Sequence, residues 1–258
     1  MTSKTVVITG GSSGIGKDLA HEYLMEGCNV AICARGRERL DSTYEEFRRE
    51  GYEIMTRVVD VSDSRALSGF ADEVAATYGK IDIWYNNAGF YRVKSVIDYD
   101  VDEFRGDVDK LLISDFSGCK IAATHMKKTG GGVIMNASSL NSTMPRAGGG
   151  LYAACKAAID LLTQVLAAEL ACDNIRVISY APGMIHTDIR ADLGKTNPAV
   201  YERLLRDIPV RREGTVQEVS KLLVFLSSEH GGYVNGVRVN ITGGKLCVQN
   251  PEYAWDLK

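Results

Sequence analysis

The stretch Thr5-Val-Val-Ile-Thr-Gly-Gly-Ser-Ser-Gly-Ile-Gly16 runs from an apolar strand directly into a glycine loop and the first turn of a helix. Gly10, Gly14 and Gly16 stand where a backbone must turn tightly, approach a ligand closely and let a helix pack on a strand. Free N–H groups at the start of such a helix attract pyrophosphate. The loop through Ser12, Ser13 and Ile15 is therefore a candidate dinucleotide site. A glycine-rich string taken alone also fits a plain strand-to-helix turn, so the rest of the chain has to decide.

Outward from this loop, short Val/Ile runs alternate with longer amphipathic stretches. Strands are expected at 30–33, 54–59, 81–84, 132–135, 175–179 and 237–241, with helical patterns between them. Parallel strands need crossovers, and a helix is the usual one, so the alternation argues for a parallel sheet covered on both faces. The 258 residues, 45% hydrophobic and 24% charged, suffice for one large α/β core.

A net charge of −3 without a basic cluster argues against nucleic acid as a partner. No apolar stretch approaches the roughly 18 residues of a membrane span, and the first strand begins too early for a signal peptide to precede it. The expectation is a cytoplasmic protein with no membrane partner. The six cysteines, at 28, 33, 119, 155, 172 and 247, lack metal-ligand spacing and are read as reduced thiols, with no metal site.

A second constellation lies past the middle of the chain. Tyr152 and Lys156 stand four residues apart in the helix-favouring stretch Leu151-Tyr-Ala-Ala-Cys-Lys-Ala-Ala-Ile-Asp160, which puts them on one helix face. A lysine cation beside a tyrosine favours the phenolate, so the hydroxyl exchanges its proton more readily near neutral pH. Ser139, thirteen residues before Tyr152, supplies a hydroxyl.

Together, in this order and spacing, these motifs resemble the short-chain dehydrogenase/reductase family, in its single-domain form of about 250 residues. The resemblance rests on Thr9 to Gly16, Asn86-Asn-Ala-Gly89, Ser139, Tyr152-x-x-x-Lys156, and Pro182-Gly183 with Thr187, and covers nearly the whole chain. It implies a Rossmann-like doubly wound parallel sheet in three α/β/α layers. It also implies one domain over 1–258, with a lid at about 184–209 and a C-terminal tail at 245–258. By resemblance, Ser139, Tyr152 and Lys156 are catalytic, and Lys156 also holds the cofactor ribose. Asp60 and Val61 meet the adenine, Asn87, Ala88 and Gly89 line the cofactor, and Pro182, Gly183 and Thr187 close over the nicotinamide. The activity implied is NAD(P)-dependent interconversion of a ketone or aldehyde and an alcohol, in a homo-oligomer, either tetramer or dimer.

At the end of the second strand no acid is present to bind ribose hydroxyls. Arg35 and Arg37 stand there instead and suit a 2′-phosphate, which favours NADP(H) over NAD(H). Arg37 also reads as the start of a solvated helix with Glu38 and Arg39. His186 is a lone histidine in the lid.

One departure stands out. Many family members carry an asparagine about 27 residues before the serine, on a long helix, where it supports a proton path to the lysine. Alignment without gaps puts Leu111 or Leu112 there, and neither can hydrogen-bond through its side chain. Reading Asp115-Phe-Ser-Gly118 as the family's Asn-Leu-x-Gly supplies Asp115 but needs an insertion and a compensating deletion. The leucine alignment is preferred, with Asp115 facing solvent. The missing asparagine motivates a second reading, a dinucleotide-binding regulatory or structural protein with weak or no catalysis.

Phe104, Val108, Leu112 and Phe116 fit either a subunit interface or the monomer core. The lid segment, with Ile185, Ile189, Leu193, Tyr201, Leu204 and Leu205, leaves sterols, sugars, acyl thioesters and small ketones open as substrates. The tail residues Tyr253 and Trp255 are candidates to cover a pocket.

Overall fold

The computed structural model describes residues 3–187, 197–252 and 255. Seven strands are present: β1 Thr5–Thr9, β2 Asn29–Ala34, β3 Met55–Val58, β4 Ile83–Asn86, β5 Gly132–Ala137, β6 Ile175–Pro182 and β7 Arg238–Ile241. They form one parallel sheet in the order β3-β2-β1-β4-β5-β6-β7. All six strands expected after the first are found within a few residues of their predicted ends.

Helices α1 (Gly14–Met25), α2 (Arg37–Arg49), α3 (Ser64–Tyr78), α4 (Val101–Val108), α5 (Ser114–Thr129), α6 (Gly150–Glu169), α7 (Pro198–Arg206) and α8 (Val216–Ser227) connect and flank the strands. The apolar run of β1 shows why the layers form. Val6 and Ile8 pack with Leu19 and Tyr23 of α1, Leu40 and Phe47 of α2 and Leu223 of α8. Val7 points the other way, into Leu67 and Phe70 of α3, Ala122 and Met126 of α5 and Ala167 of α6. All three β1 side chains are fully buried. A strand with no polar alternation fits only between two helical layers, and burying side chains of this size stabilises the fold by about 1.5–3 kcal/mol each.

The chain moves outward from β1 to β2 and β3, then returns to add β4 on β1's other side. This reversal opens a crevice at the carboxyl ends of β1 and β4, where open α/β sheets bind ligands. The Thr9 hydroxyl fastens the two strand ends there. It donates to the Tyr85 carbonyl at 3.1 Å and accepts from the backbone N–H of Asn87 at 2.9 Å and of Ala88 at 3.0 Å.

Between α4 and α5, Asp109–Ile113 form a π-helical turn, so residues 101–129 make one continuous helix with a local overhang of one residue. Further along, α6 corrects one sequence expectation. By length and a mean hydropathy of 1.4 it is apolar enough to cross a membrane. Here its inner face packs on the sheet, burying Ile159, Thr163 and Ala167 together with Lys156 and Asp160.

The four apolar residues weighed between core and interface divide. Val108 and Leu112 pack partly buried against Leu111, Leu151 and Cys155, whereas Phe104 and Phe116 are exposed, as are Ile113, Leu161 and Val165 nearby. All six cysteines are free thiols. Of the lid and tail residues named from sequence, Ile189, Leu193 and Tyr253 lie outside the described residues.

Candidate active site

The glycine loop forms the floor of a cleft of about 730 Å³ at the crevice. The fit of each glycine is local. A Cβ on Gly16 would stand 2.4 Å from the Gly10 carbonyl oxygen and 2.5 Å from Asn87 Nδ2, and one on Gly10 would stand 2.9 Å from Ala88 Cα. Gly14 has φ +53°, a left-handed conformation that favours glycine. Ser13 starts α1 without a side-chain cap, so first-turn N–H groups of that helix are left for a ligand. By contrast α3 is capped by Asp63 and α8 by Thr215 with Glu218.

Of the residues expected to hold a cofactor, Gly10, Ser12, Ser13, Ile15, Gly16, Arg35, Arg37, Asp60, Val61, Asn87, Ala88, Gly89 and Thr187 line this cleft. Gly89 is instructive, because a Cβ there would meet no protein atom within 4 Å. Its lack of a side chain serves the open space of the cleft and not protein packing. Asn87 also has a scaffold role: Nδ2 donates to Thr9 O at 3.1 Å, and Oδ1 accepts from the Tyr180 hydroxyl at 3.0 Å. The Asp60 carboxyl is drawn below its ordinary value, against the opposing effect of burial, by Ser62 hydrogen bonds and by Arg35 and Lys110. The sequence reading missed Lys110 and left Arg39 as part of a solvated helix face; both line the cleft.

Tyr152, Pro182 and Gly183 line a neighbouring cavity of about 630 Å³, with Ser138 and Ser139. The two spaces share Ile15 and Thr187. Gly183 is required by packing, since a Cβ would stand 3.0 Å from Thr242 Cα. Ser139, nearly buried, accepts a hydrogen bond from Asn141 N at 3.1 Å, which leaves its own proton for another acceptor. Tyr91, unremarked in the sequence, packs edge-on against Tyr152 with ring centroids 5.1 Å apart. The Gly148–Gly150 cluster explains how it gets there: Cβ atoms on Gly149 and Gly150 would collide with the Tyr91 hydroxyl and with Val96, each at 2.5 Å.

Lys156 is buried beneath Tyr152. Its Nζ lies 5.8 Å from the Tyr152 ring centroid and donates to Ala137 O at 2.6 Å. The side chain facing it corrects the sequence reading. Asp115 is 4% exposed, not at the surface, and its Oδ2 lies 3.8 Å from Lys156 Nζ. That distance makes an ion pair and not a hydrogen bond, and Oδ2 has no hydrogen-bond partner among the described residues. Burial raises the Asp115 carboxyl to about 7 against the downward pull of Lys156. Leu111 packs instead with Leu151 and Cys155.

The helix carrying Asp115 is pinned by a buried polar seam. Asn86 Nδ2 donates to Asp115 O at 3.2 Å and Asn136 Oδ1 at 2.9 Å, Trp84 Nε1 donates to Asn86 Oδ1 at 2.7 Å, and Asn136 Nδ2 reaches Thr163 Oγ1 at 3.0 Å. Close approach depends on Gly118, where a Cβ would fall 1.9 Å from Asn86 Oδ1. In the lid, His186 Nδ1 meets Glu213 Oε2 at 2.8 Å.

A glycine-floored cleft at the sheet's reversal, joined to a cavity holding a serine and a tyrosine backed by a buried lysine, is the arrangement that the motif resemblance implies for a nicotinamide-dependent oxidoreductase. Comparison with known proteins agrees. A family profile described as short chain dehydrogenase matches residues 4–198. A 3alpha-hydroxysteroid dehydrogenase of Mediterraneibacter gnavus is 33% identical over 245 residues, covering 94% of this chain and 97% of that protein. A 3-oxoacyl-acyl-carrier-protein reductase of Chlamydia pneumoniae is 33% identical over 244 residues, covering 95% and 97%. A solved short-chain type dehydrogenase/reductase from Mycobacterium ulcerans superposes with a TM-score of 0.90 at 28% identity, over 100% of this chain and 94% of that one. The chain belongs to the short-chain dehydrogenase/reductase family, whose general chemistry is NAD(P)-dependent alcohol and carbonyl oxidoreduction.

Proposed function

We propose that the protein interconverts a ketone or aldehyde and an alcohol, with NADP(H) favoured over NAD(H), and with Tyr152 as acid/base. The observation that carries this reading is the junction of the two spaces at Ile15 and Thr187, with Ser139 and Tyr152 on the substrate side. When bound, the nicotinamide cofactor gives or takes a hydride at its C4.

The rest is done by the chain's own groups. In reduction the Tyr152 hydroxyl protonates the carbonyl oxygen while Ser139 Oγ donates a hydrogen bond to that oxygen and fixes its position. The Lys156 cation lies 5.8 Å from the Tyr152 ring centroid, placed to stabilise the negative charge that develops on the phenol oxygen as its proton is given up. Its ammonium has three donors, of which Ala137 O takes one, so a donor remains for the ribose hydroxyls. Asp115 takes the place facing Lys156 in which many relatives carry an asparagine, and its charge state tunes the field that Lys156 exerts on Tyr152. Arg35, with Arg37 and Arg39 near it, supports the 2′-phosphate reading; Glu38 lines the same cleft, but no acid stands at the end of the second strand itself.

Single-turnover hydride transfer tests the proposal, following NADPH and NADH absorbance against ketones, sugars and acyl thioesters. Tyr152→Phe is expected to slow transfer by about 10²- to 10⁴-fold while NADPH still binds. Near-normal transfer in that variant removes the acid/base assignment, and binding without transfer on any substrate favours a regulatory dinucleotide-binding protein.

A further inference from the structure

The cavity beside Tyr152 has an apolar wall and a charged mouth. Tyr91, Leu140, Met144, Ile185, Leu204 and Ile208 supply much of the wall. Its charged lining residues are Arg146, Arg203, Lys245 and Asp207. Lys245 and Asp207 pair with each other at 2.7 Å and cancel. Among the described residues Arg146 and Arg203 have no side-chain hydrogen bond, ion pair or ring contact, so within that set two positive charges line the cavity without a carboxylate partner.

The protein carries a net charge of −3, and Arg48, Arg57, Arg92, Arg105, Arg212 and Arg238 each hold a carboxylate. Arg37, Arg39, Arg65 and Arg206 also have no side-chain partner among the described residues, so what distinguishes Arg146 and Arg203 is their place on one apolar-walled cavity. The two free guanidinium groups also come from separate elements, Arg146 from the segment before α6 and Arg203 from α7, yet line one space. Both are exposed, whereas Ser139 is 9% exposed. The cavity therefore runs from a cationic rim to a buried hydroxyl floor.

We propose that the substrate is a ketone or alcohol with an apolar body and an anionic group at the end remote from the reacting carbon, bound at the rim by Arg146 and Arg203. The proposal rests on the oxidoreductase reading of the same site. A planar guanidinium presents paired donors that match a carboxylate, phosphate or sulfate, and a positive rim raises the local concentration of an anion. An anion at the floor, in contrast, would sit in the buried part of the cavity away from both guanidinium groups, where loss of hydration opposes it. The burial gradient thus sets the orientation, with carbonyl inward and anion outward.

The test uses 4-oxocyclohexanecarboxylate, a decalone carboxylate and an oxo-steroid carboxylate, each paired with its methyl ester, titrated into the enzyme–NADP⁺ complex. At least one acid is expected to bind about tenfold more tightly than its ester at low salt. That ratio should fall several-fold in 0.5 M salt (roughly a 4 Å screening length), and approach one in Arg146→Gln/Arg203→Gln. NADP⁺ affinity in the double variant is the check that it is folded. No acid preferred over its ester, or a preference that survives the double substitution, overturns the proposal. Single-turnover assays on the same probes separate it from the reading beneath it: acid preference with no Tyr152-dependent turnover upholds the anion site and overturns the oxidoreductase reading.

Discussion

The cofactor cleft and the substrate cavity are built on different principles. The cleft is made at strand ends, where Thr9 ties β1 to the end of β4, Tyr180 of β6 reaches across β5 to Asn87, and glycines meet backbone at contact distance. The cavity is walled largely by segments between elements, by α7 and by the stretch after β6, while Ser138, Ser139, Tyr152, Pro182 and Ile15 tie it to the strand ends and the helices that cover them. Geometry in the first region is over-determined by packing. In the second, much of the surface is free to change without disturbing the core, which is how one scaffold accommodates many substrates.

Substitution of two glycines on the same cleft sharpens this contrast most strongly. Gly16→Ala is expected to lower both NADPH affinity and stability, the latter by about 1–3 kcal/mol, because its Cβ would press on the Gly10 carbonyl. Gly89→Ala meets no protein atom, so stability should hold within about 0.5 kcal/mol while NADPH affinity falls. Thermal unfolding with cofactor titration reads both. Equal stability losses at the two positions would break the distinction between glycines kept for packing and a glycine kept for the ligand.

A smaller effect is expected at the edge of the cleft. Arg35→Asp should weaken NADPH by about ten- to a hundredfold, the scale of a lost charge-assisted hydrogen bond, and NADH far less. Fluorescence titration of the two cofactors measures the ratio, and a matched loss would remove the case for a 2′-phosphate partner.

The smallest expected effect lies at the border of the two regions. Asp115 faces Lys156 and, from the same helix, Cys119, with Tyr152 and Tyr180 further out. Because the folded protein holds the Asp115 proton up to about 7, against 3.8 for an ordinary carboxyl, it binds more protons than the unfolded chain between those values. Stability attributable to this group therefore falls as pH rises through that window. Asp115→Asn should flatten that part of the stability profile. Above pH about 7 it also removes an anion that offsets the Lys156 charge, so half-maximal alcohol oxidation should move to lower pH. Denaturant titrations and pH–rate profiles check the two directions. An unchanged rate profile with a flattened stability curve would make Asp115 structural only.

The strands and the glycine loop were legible in sequence because composition and flanking signals carry them: Val6, Val7 and Ile8, short, β-branched and followed at once by glycines, fit a strand covered on both faces. Tyr152, Lys156 and Ser139 were legible through spacing. Asp115 was misread for a physical reason. Asp115 lies three to four residues after the positions that the ungapped comparison selects, about one helical turn, and spacing along a helix does not by itself say which turn faces Lys156. Lys110 and Tyr91 were missed because their neighbours in space are remote in sequence. The Gly148–Gly150 cluster marks close contact with Tyr91, Val93 and Val96, none of which is near it in sequence.

The π-helical turn bears on how this chain tolerates insertions and deletions. One residue of an α-helix advances the chain by about 1.5 Å and rotates it by about 100°. Deleting one residue between 109 and 113 would leave a perfectly acceptable helix while swinging α4 about its axis relative to α5. Glu103 would then leave Arg92 and Lys94, its present ion-pair partners. A library of point substitutions would never sample that change. A single-codon deletion there would test whether helix phase, more than side-chain identity, keeps Asp115 and Lys156 facing each other.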